Sequence, residues 1–356
     1  MLVTNKLEES PSGGRELLCR LNHDALKEIY GDRLIVFELS KSSIRGLASL
    51  IDAFIGYIDG LSAETIADAL SQIHDRNVEK IFVDGSNFGE FVRVVKAKFS
   101  NVRIYTFFHN VEARFFLGAL KQFKTLRAVG VLAANYLAER KSVIFSDKII
   151  CMNERDSRLL ERVYGRPATD LSPMSVQDKM TSIKSGSAKS NAEKFVLFVG
   201  GTFYANQSGI EWFVKNVAPR ISIKTCIVGR GFEKLKDELE LKGKVEVVGE
   251  VEYLEEWYLN SYFVIAPIFD GSGMKTKVAE ALMFGKKIIG TPEAFAGYED
   301  IADRAGRVCS SADDFVSAID SACDIVESPF DKGLREIYEA RYSLDAARDR
   351  LKLIMS

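Results

Sequence analysis

The feature that most constrains this chain is an alternation that runs through it twice. Short apolar runs rich in β-branched residues recur, each followed by a stretch with the three-to-four-residue apolar spacing of an amphipathic helix. In the first half the expected strands are Leu2–Asn5, Leu34–Leu39, Lys80–Val83, Arg103–Phe107 and Lys148–Met152, with helical segments such as GGRELLCRLNHDALKEIYG between them. In the second half KFVLFVGG, KTCIVG, VEVVGEV, YFVIAPI and KKIIGTP read as strands, separated by the helices SGIEWFVKNVAPRI, FEKLKDELELKG and YLEEWYLNS. Regular alternation of this kind specifies α/β architecture with parallel sheets, since a parallel neighbour is reached only through a crossover. Residues 176–194 (VQDKMTSIKSGSAKSNAEK) are polar, aperiodic and rich in Ser and Lys, which is linker composition. The expected organisation is therefore two Rossmann-like doubly wound domains, 1–175 and 195–335, facing a cleft. Residues 336–356 are expected to form helix that packs back on the first domain.

Composition narrows the function classes. A net charge of -2 argues against a general nucleic-acid binder. The five cysteines are scattered without a Cys-x-x-Cys pair, which fits a reducing compartment and neither a disulfide framework nor a zinc site. The first residues lack the apolar core of a signal peptide, and no uncharged apolar run reaches the roughly 18 residues of a spanning helix. The expectation is a cytoplasmic protein that can still lie on a membrane surface.

The stretch FDGSGMKTKVAEALMFGKKIIGTP, from Phe269 to Pro292, carries the chemistry. Asp270-Gly271-Ser272-Gly273 turns the chain after a strand, and a helix is expected from about Met274 to Phe284. A helix start carries partial positive charge that disfavours cations, yet Lys275 and Lys277 stand there. Either they are a solvated pair, or the glycine turn, the free N–H groups and the lysines together hold a diphosphate. Glu280 falls on the helical face of Thr276 and Gly273, opposite the apolar stripe of Met274, Val278 and Leu282. It could pair with Lys277 three residues earlier, or accept hydrogen bonds from adjacent ribose hydroxyls.

Taken with VGEVEYLEEWY and YFVIAPIFD before it, this stretch resembles the donor-binding half of GT-B glycosyltransferases, closest to retaining, family-4-like enzymes of bacterial surface polysaccharide assembly. FVGGTFYANQSGIEWFVKNVAPRI, IVGRG, LLERVYG, ARYSLDAARDRL, PSGGRELLCRLNHDAL and FFHNVEARFF fall in the family's order. The resemblance implies that the C-terminal domain binds a sugar nucleotide and the N-terminal domain an acceptor. It implies that Glu280 holds the ribose and that Gly273, Met274 and Lys275 contact the diphosphate or sugar. Gly201 and Thr202 would line the phosphate side, Gly229 and Arg230 would form a second glycine loop, and Val251 and Tyr253 would lie near the base. Gly13, Gly14 and Asn110 would serve the acceptor or sugar side. His109 would reach the donor sugar, although a histidine after a buried strand can also simply cap the next helix.

Two departures accompany the resemblance. The first Glu of the family's E-x7-E signature would fall at Ser272, so Asp270 or Ser272 replaces it. The Arg/Lys pair usual after the FVG strand is absent, which leaves Lys275 to supply the charge; Lys275 and Asp270 join His109 as candidate catalytic residues. No Asp-x-Asp and no His/Cys cluster with ligand spacing occurs, so no metal or other cofactor is expected beyond the donor itself. Between Phe91 and Lys141, ten basic residues face two acidic ones among interleaved aromatic and aliphatic side chains, a pattern suited to peripheral contact with an anionic membrane. The expected activity is transfer of a sugar from a nucleotide-diphosphate sugar to a saccharide or lipid-linked acceptor. The alternatives are a non-catalytic partner subunit, or a nucleotide-sugar epimerase on the same fold.

Overall fold

A computed structural model of the chain describes residues 1–8, 14–40, 47–180, 194–271, 273–325 and 329–356. It divides into two compact units, one of residues 1–174 with 347–356 and one of residues 175–346.

The first unit is built on a six-stranded sheet of β1 (Leu2–Asn5), β2 (Val36–Leu39), β3 (Lys80–Asp84), β4 (Arg103–Phe108), β5 (Lys148–Cys151) and β6 (Asp170–Leu171). The strand order is β2-β1-β3-β4-β5-β6 and every pairing is parallel. Val3, Ile81, Val83 and Ile104 on the strands pack with Phe88, Phe91, Val92 and Val95 from the helix Gly89–Lys98 and its approach, all nearly fully buried. Strands buried on both faces read as continuous apolar runs, which is why β1, β3, β4 and β5 begin where the sequence places them. The short edge strand β6 has no such run and was not expected.

The second unit repeats the plan with β7 (Phe195–Val199), β8 (Lys224–Val228), β9 (Val245–Gly249), β10 (Phe263–Ala266), β11 (Ile288–Gly290) and β12 (Gly306–Val308). Its order is β12-β11-β10-β7-β8-β9, again parallel throughout. The strand order reverses between β1 and β3 in the first sheet and between β7 and β10 in the second. Crevices outside the carboxyl ends at such points are where open α/β sheets hold ligands.

The boundaries differ from the sequence expectation at both crossings. Val176 to Asp178 are anchored rather than linker-like: Val176 N–H donates to Tyr342 O (2.9 Å), Tyr338 Oη donates to Val176 O (2.9 Å), and Arg335 is ion-paired with Asp178. The remainder of the expected linker, 181–193, lies outside the described residues. At the other end, the helix Lys332–Arg341 stays with the second unit, and it is the helix Leu344–Ile354 that joins the first from Ala347 onward. There Arg348 pairs with Glu28 (2.9 Å), and Lys80 Nζ donates to Met355 O.

Gly89 lies at a close helix–helix contact of the first unit. A Cβ at this position would lie 1.9 Å from Ala138 O and 2.7 Å from Ser142 N, both backbone atoms of the helix Leu126–Phe145. The expected cost of Gly89→Ala is about 1–3 kcal/mol, the range for overpacking a close-packed contact, measured as a lowered urea midpoint in far-UV circular dichroism.

Candidate functional site

In the second unit the loops after β7, β8, β9, β10 and β11 collect at one edge. The turn after β7 is glycine 200–201, and the turn after β8 lies directly against it. Thr202 N–H donates to Arg230 O (3.2 Å) and Gly229 N–H to Gly249 O (2.8 Å). Gly229 has φ 148°, and a Cβ there would fall 1.8 Å from Gly200 O, so only glycine lets the two turns meet. Gly201 differs: its φ is not positive and the nearest atom to a Cβ would be 3.6 Å away, so internal packing does not demand glycine. Arg230 is exposed and tied to Glu250 (2.8 Å). Val251 is half-buried and Tyr253 is 59% exposed just beyond β9.

The lysines at the opening of the next helix both have partners within the protein. The helix runs Thr276–Met283, two residues later than expected, with Lys275 as its N-cap in extended conformation. Lys275 Nζ donates to Gly273 O (3.0 Å) and to Glu293 Oε1 (3.0 Å), and Tyr298 Oη donates to Lys275 O (3.1 Å). Lys277 is 6% exposed. Its Nζ lies 4.5 Å from the centroid of the Phe198 ring and donates to Asn206 Oδ1 (2.8 Å), while Asn206 Nδ2 donates to Gly201 O (2.9 Å). Lys277 thus braces the β7 turn from beneath rather than reaching outward. Burial lowers its pKa from 10.5 to about 7, with Glu280 opposing the shift and Lys275 adding to it. Neither Lys275 nor Phe203, the N-cap of the helix Tyr204–Asn216, provides a side-chain cap. Both helix starts therefore turn uncapped N–H groups toward the edge, the geometry that suits an anion.

Thr276 and Glu280, four residues apart, are the two positions of their helix that retain partial exposure; the other six are buried. The face assigned to Glu280 is thus the open one, but its partner is not Lys277. Tyr258 Oη donates to Glu280 Oε2 (2.8 Å), and the Tyr258 ring stacks on Phe284 with centroids 4.8 Å apart. Burial raises the Glu280 pKa, partly offset by Tyr258, Lys179 and Lys277. Asp270 is exposed, accepts from Gly271 N–H (2.7 Å), and with burial raises the Tyr204 hydroxyl pKa. Met274 is buried, and Gly273 adopts φ 67°. Ser272 and Gly13 lie outside the described residues.

The first unit carries a separate polar cluster at the carboxyl edge of its own sheet. Arg15, Cys19 and Asn22 recur at i, i+4 and i+7 of the helix Gly14–Tyr30, a stripe directed at the ends of β1, β3 and β4. Asp84, fully buried at the end of β3, accepts from Asn22 Nδ2 (2.9 Å), Thr4 Oγ1 (3.4 Å) and His109 Nε2 (2.7 Å). Burial alone would raise the Asp84 carboxyl; His109 and Asn22 outweigh it and hold the pKa below the usual value. An ionised carboxylate only accepts, so His109 donates through Nε2–H, and its buried Nδ1 has no partner among the described residues. Arg15 pairs with Asp59 (2.9 Å) and donates to Asn87 Oδ1 (3.2 Å). Donor atoms of Cys19, Asp84 and His109 lie within 4.8 Å of one another, the set among the described residues able to hold a metal. Burial pushes the Cys19 thiol well up, and Asp84 is already engaged with His109 and Asn22, so the cluster reads as a hydrogen-bond network.

Of these residues, sequence reasoning singled out His109 but not Asp84, Arg15, Asn206, Glu293 or Tyr258. Asp84 left a signal, as a charge ending the apolar run KIFV. The others act through long-range partners that no local pattern encodes.

Residues 193–324 match the family model described as Glycosyl transferases group 1. Among solved structures, sucrose-phosphate synthase from Thermosynechococcus elongatus is similar with TM-score 0.72 and 15% identity, covering 99% of this chain and 98% of that one. HepE from Anabaena in complex with UDP follows at TM-score 0.67 and 12% identity, covering 99% of each chain. The lipopolysaccharide outer core galactosyltransferase WaaB, apo form, gives TM-score 0.65 at 13% identity, covering 99% of each. The chain has the GT-B fold. At these identities the GT-B likeness is one of architecture, and a search of curated proteins returned no match. The matched segment of the GT-B chain contains every loop of the second unit's carboxyl edge, from Gly200 to Glu293.

Lys277 makes this edge pH-sensitive. Below pH 7 the residue is protonated in folded and unfolded chains alike; above it the folded form loses the proton while the unfolded form keeps it until near 10.5. Stability contributed at this position therefore rises with pH across that window. The urea midpoint of Lys277→Met is expected to climb less steeply than that of the parent protein between pH 7 and pH 10.

Proposed function

We propose that the protein is a glycosyltransferase that moves a sugar from a nucleotide-diphosphate sugar to a saccharide or lipid-linked saccharide, with retention of configuration and without a metal. The observation that carries this reading is the match of residues 193–324 to the group 1 glycosyltransferase model, over the segment that holds the glycine turns and uncapped helix starts. A uridine donor is the first candidate, because the similar HepE is described bound to UDP and to UDP-glucose.

In this reading the diphosphate lies against the starts of the helices Tyr204–Asn216 and Thr276–Met283, with Gly201, Thr202, Gly273 and Lys275 around it. A diphosphate would compete with Glu293 for Lys275 and so gain a cation that is already oriented. Preorganised N–H dipoles and one lysine are the electrostatic means by which the leaving diphosphate would be stabilised. Glu280 would take the ribose hydroxyls, sharing its carboxylate with Tyr258, and Val251 and Tyr253 would flank the base. On the first unit, His109 and Asn110 would serve the sugar, with Gly14 at the acceptor side.

Peripheral contact with an anionic membrane is part of the proposal, now with a narrower surface. Arg93 and Lys141 are taken up by Glu90, and Lys96 by Asp147. Arg114, Lys124, Arg127 and Arg140 remain exposed beside the exposed Phe115, Leu117, Leu126 and Val129 of the helices Glu112–Phe123 and Leu126–Phe145. No helix among the described residues is long and apolar enough to cross a membrane.

One observation favours a second reading, a non-catalytic partner of the same fold: Lys275 and Glu280 both already have protein partners. Calorimetric titration with UDP, GDP and ADP separates the two. The expected result is binding of one base, weakened about tenfold or more, or roughly 1.4 kcal/mol, by Glu280→Gln and by Lys275→Ala. Binding of no nucleotide would move the assignment to the partner reading, and unchanged affinity in Glu280→Gln would remove its ribose role.

A further inference from the structure

The helix Glu112–Phe123 starts without a local cap. Its N-cap, Val111, is extended and offers no side-chain hydrogen bond. The acceptor comes instead from the helix Leu126–Phe145. Glu139 Oε1 accepts from Glu112 N–H (3.0 Å), and Oε2 accepts from Ala113 N–H (3.2 Å) and from Tyr164 Oη (2.6 Å). Glu139 is fully buried. Its carboxyl meets the first N–H groups of a helix, which lack intrahelical partners and carry partial positive charge.

Capping alone does not call for this arrangement. A Ser, Asp or Asn at position 111 would satisfy such N–H groups from within the turn, without the desolvation that burying a carboxylate costs. Glu139 lies 27 and 26 positions from its two backbone partners and 25 from Tyr164. It joins the start of one helix to the body of a second and to the last residue of a third, Glu154–Tyr164. Only the turn His109–Val111 separates β4 from the helix Glu112–Phe123. A buried carboxylate grips each end of that turn. Asp84 takes the His109 Nε2–H (2.7 Å) at its first residue, and Glu139 takes the two backbone N–H groups that follow its last. Phe107 adds an edge contact to the His109 ring, with centroids 5.4 Å apart. Between the two grips, the Nδ1 of His109 and the Oδ1 of Asn110 are buried with no hydrogen-bond partner. Few buried polar atoms in a native interior lack a partner, so two held side by side in a fixed turn need a reason beyond packing.

We propose that Glu139 is a positioning residue: by clamping the start of the helix Glu112–Phe123 it fixes the turn that presents His109 Nδ1 and Asn110 Oδ1. The proposal rests on the glycosyltransferase reading, in which those two side chains serve the sugar, and adds to it a residue that touches no substrate. Backbone N–H groups can only donate, so both carboxyl oxygens of Glu139 accept. In Glu139→Gln the side chain keeps its volume but offers one accepting oxygen. A donor then faces a donor, and one N–H of the helix start is released without opening a cavity.

The test follows hydrogen exchange by NMR in the isotope-labelled full chain. In Glu139→Gln the amides of Glu112 and Ala113 and the His109 Nε2–H are expected to exchange about tenfold faster or more, while the amides of β3 and β4 keep their parent rates. UDP released from UDP-glucose, with methyl glycosides as acceptor probes, is the second readout. There kcat is expected to fall about tenfold while KM for UDP-glucose stays within about twofold, the split for a residue that sets reacting geometry and not donor binding. Tyr164→Phe keeps both backbone bonds to Glu139 and controls for lost stability; its His109 exchange is expected within about twofold of the parent rate. Glu139→Asp draws the carboxylate back by one methylene and is the second variant should Glu139→Gln not fold, with the same expected direction. Faster exchange at Glu112 and Ala113 with unchanged His109 exchange, or with unchanged kcat, would reduce Glu139 to a helix cap and overturn the proposal. Equal loosening in Tyr164→Phe would overturn it too, as would parent-like exchange at all three sites. A parent protein that releases no UDP would instead count against the transferase reading, and the exchange rates would still decide the proposal.

Discussion

Parallel pairing in both sheets is the constraint from which the rest follows. With every strand running the same way, each connection must cross back through a helix, and all strand carboxyl ends gather at one edge of each sheet. The loops at that edge are released from ladder hydrogen bonding and can carry polar groups, while the interior of the sheet is apolar on both faces. The reversal of strand order between β1 and β3, and between β7 and β10, parts the connecting helices at that edge. Both polar clusters sit there: Thr4, Asp84 and the helix bearing Arg15 in the first unit, the Gly200 and Lys275 turns in the second.

The two edges solve the burial of charge differently. The first encloses Asp84 among three hydrogen-bond donors, Thr4, Asn22 and His109, which together hold its carboxylate ionised against burial. The second encloses Lys277 on a ring face and an amide oxygen, with no carboxylate in direct contact among the described residues, and burial lowers its pKa to about 7. Lys286 follows the same pattern. Its Nζ donates to Leu259 O (2.9 Å) and Ser261 O (2.8 Å) at the end of the helix Leu254–Asn260, and burial lowers its pKa to about 8. A cation at a helix C-terminus meets the carbonyls that lack intrahelical partners, which offsets part of its desolvation.

Much of this fold was legible in the sequence because continuous apolar runs mark strands buried on both faces. β1 matches the expected Leu2–Asn5, and β3, β4 and β5 start at the expected Lys80, Arg103 and Lys148. The edge strands β6 and β12, of two and three residues, were not legible, because a strand so short and half-exposed leaves no periodic pattern. The site was legible at the level of backbone: glycine turns and helix starts leave local signatures. Side-chain partners were not. Lys275 meets Glu293 eighteen positions away, and Lys277 meets Asn206 seventy-one away. Neither the solvated-pair nor the diphosphate expectation named these partners, because both lie far along the chain. The same holds for Glu280, whose neighbour at i−3 is a lysine but whose partner is Tyr258.

The return of residues 347–356 to the first unit has a consequence for synthesis. The whole second unit is inserted into the first, so a ribosome delivers the sheet of the first unit early and one of its helices only after another 172 residues have followed. Until then the surface around Glu28, Tyr30 and Lys80 lacks its cover, whereas the second unit is already contiguous and complete. Domains that fold as units during elongation ordinarily finish in chain order. Here the order is inverted: the unit that begins first is the one that closes last.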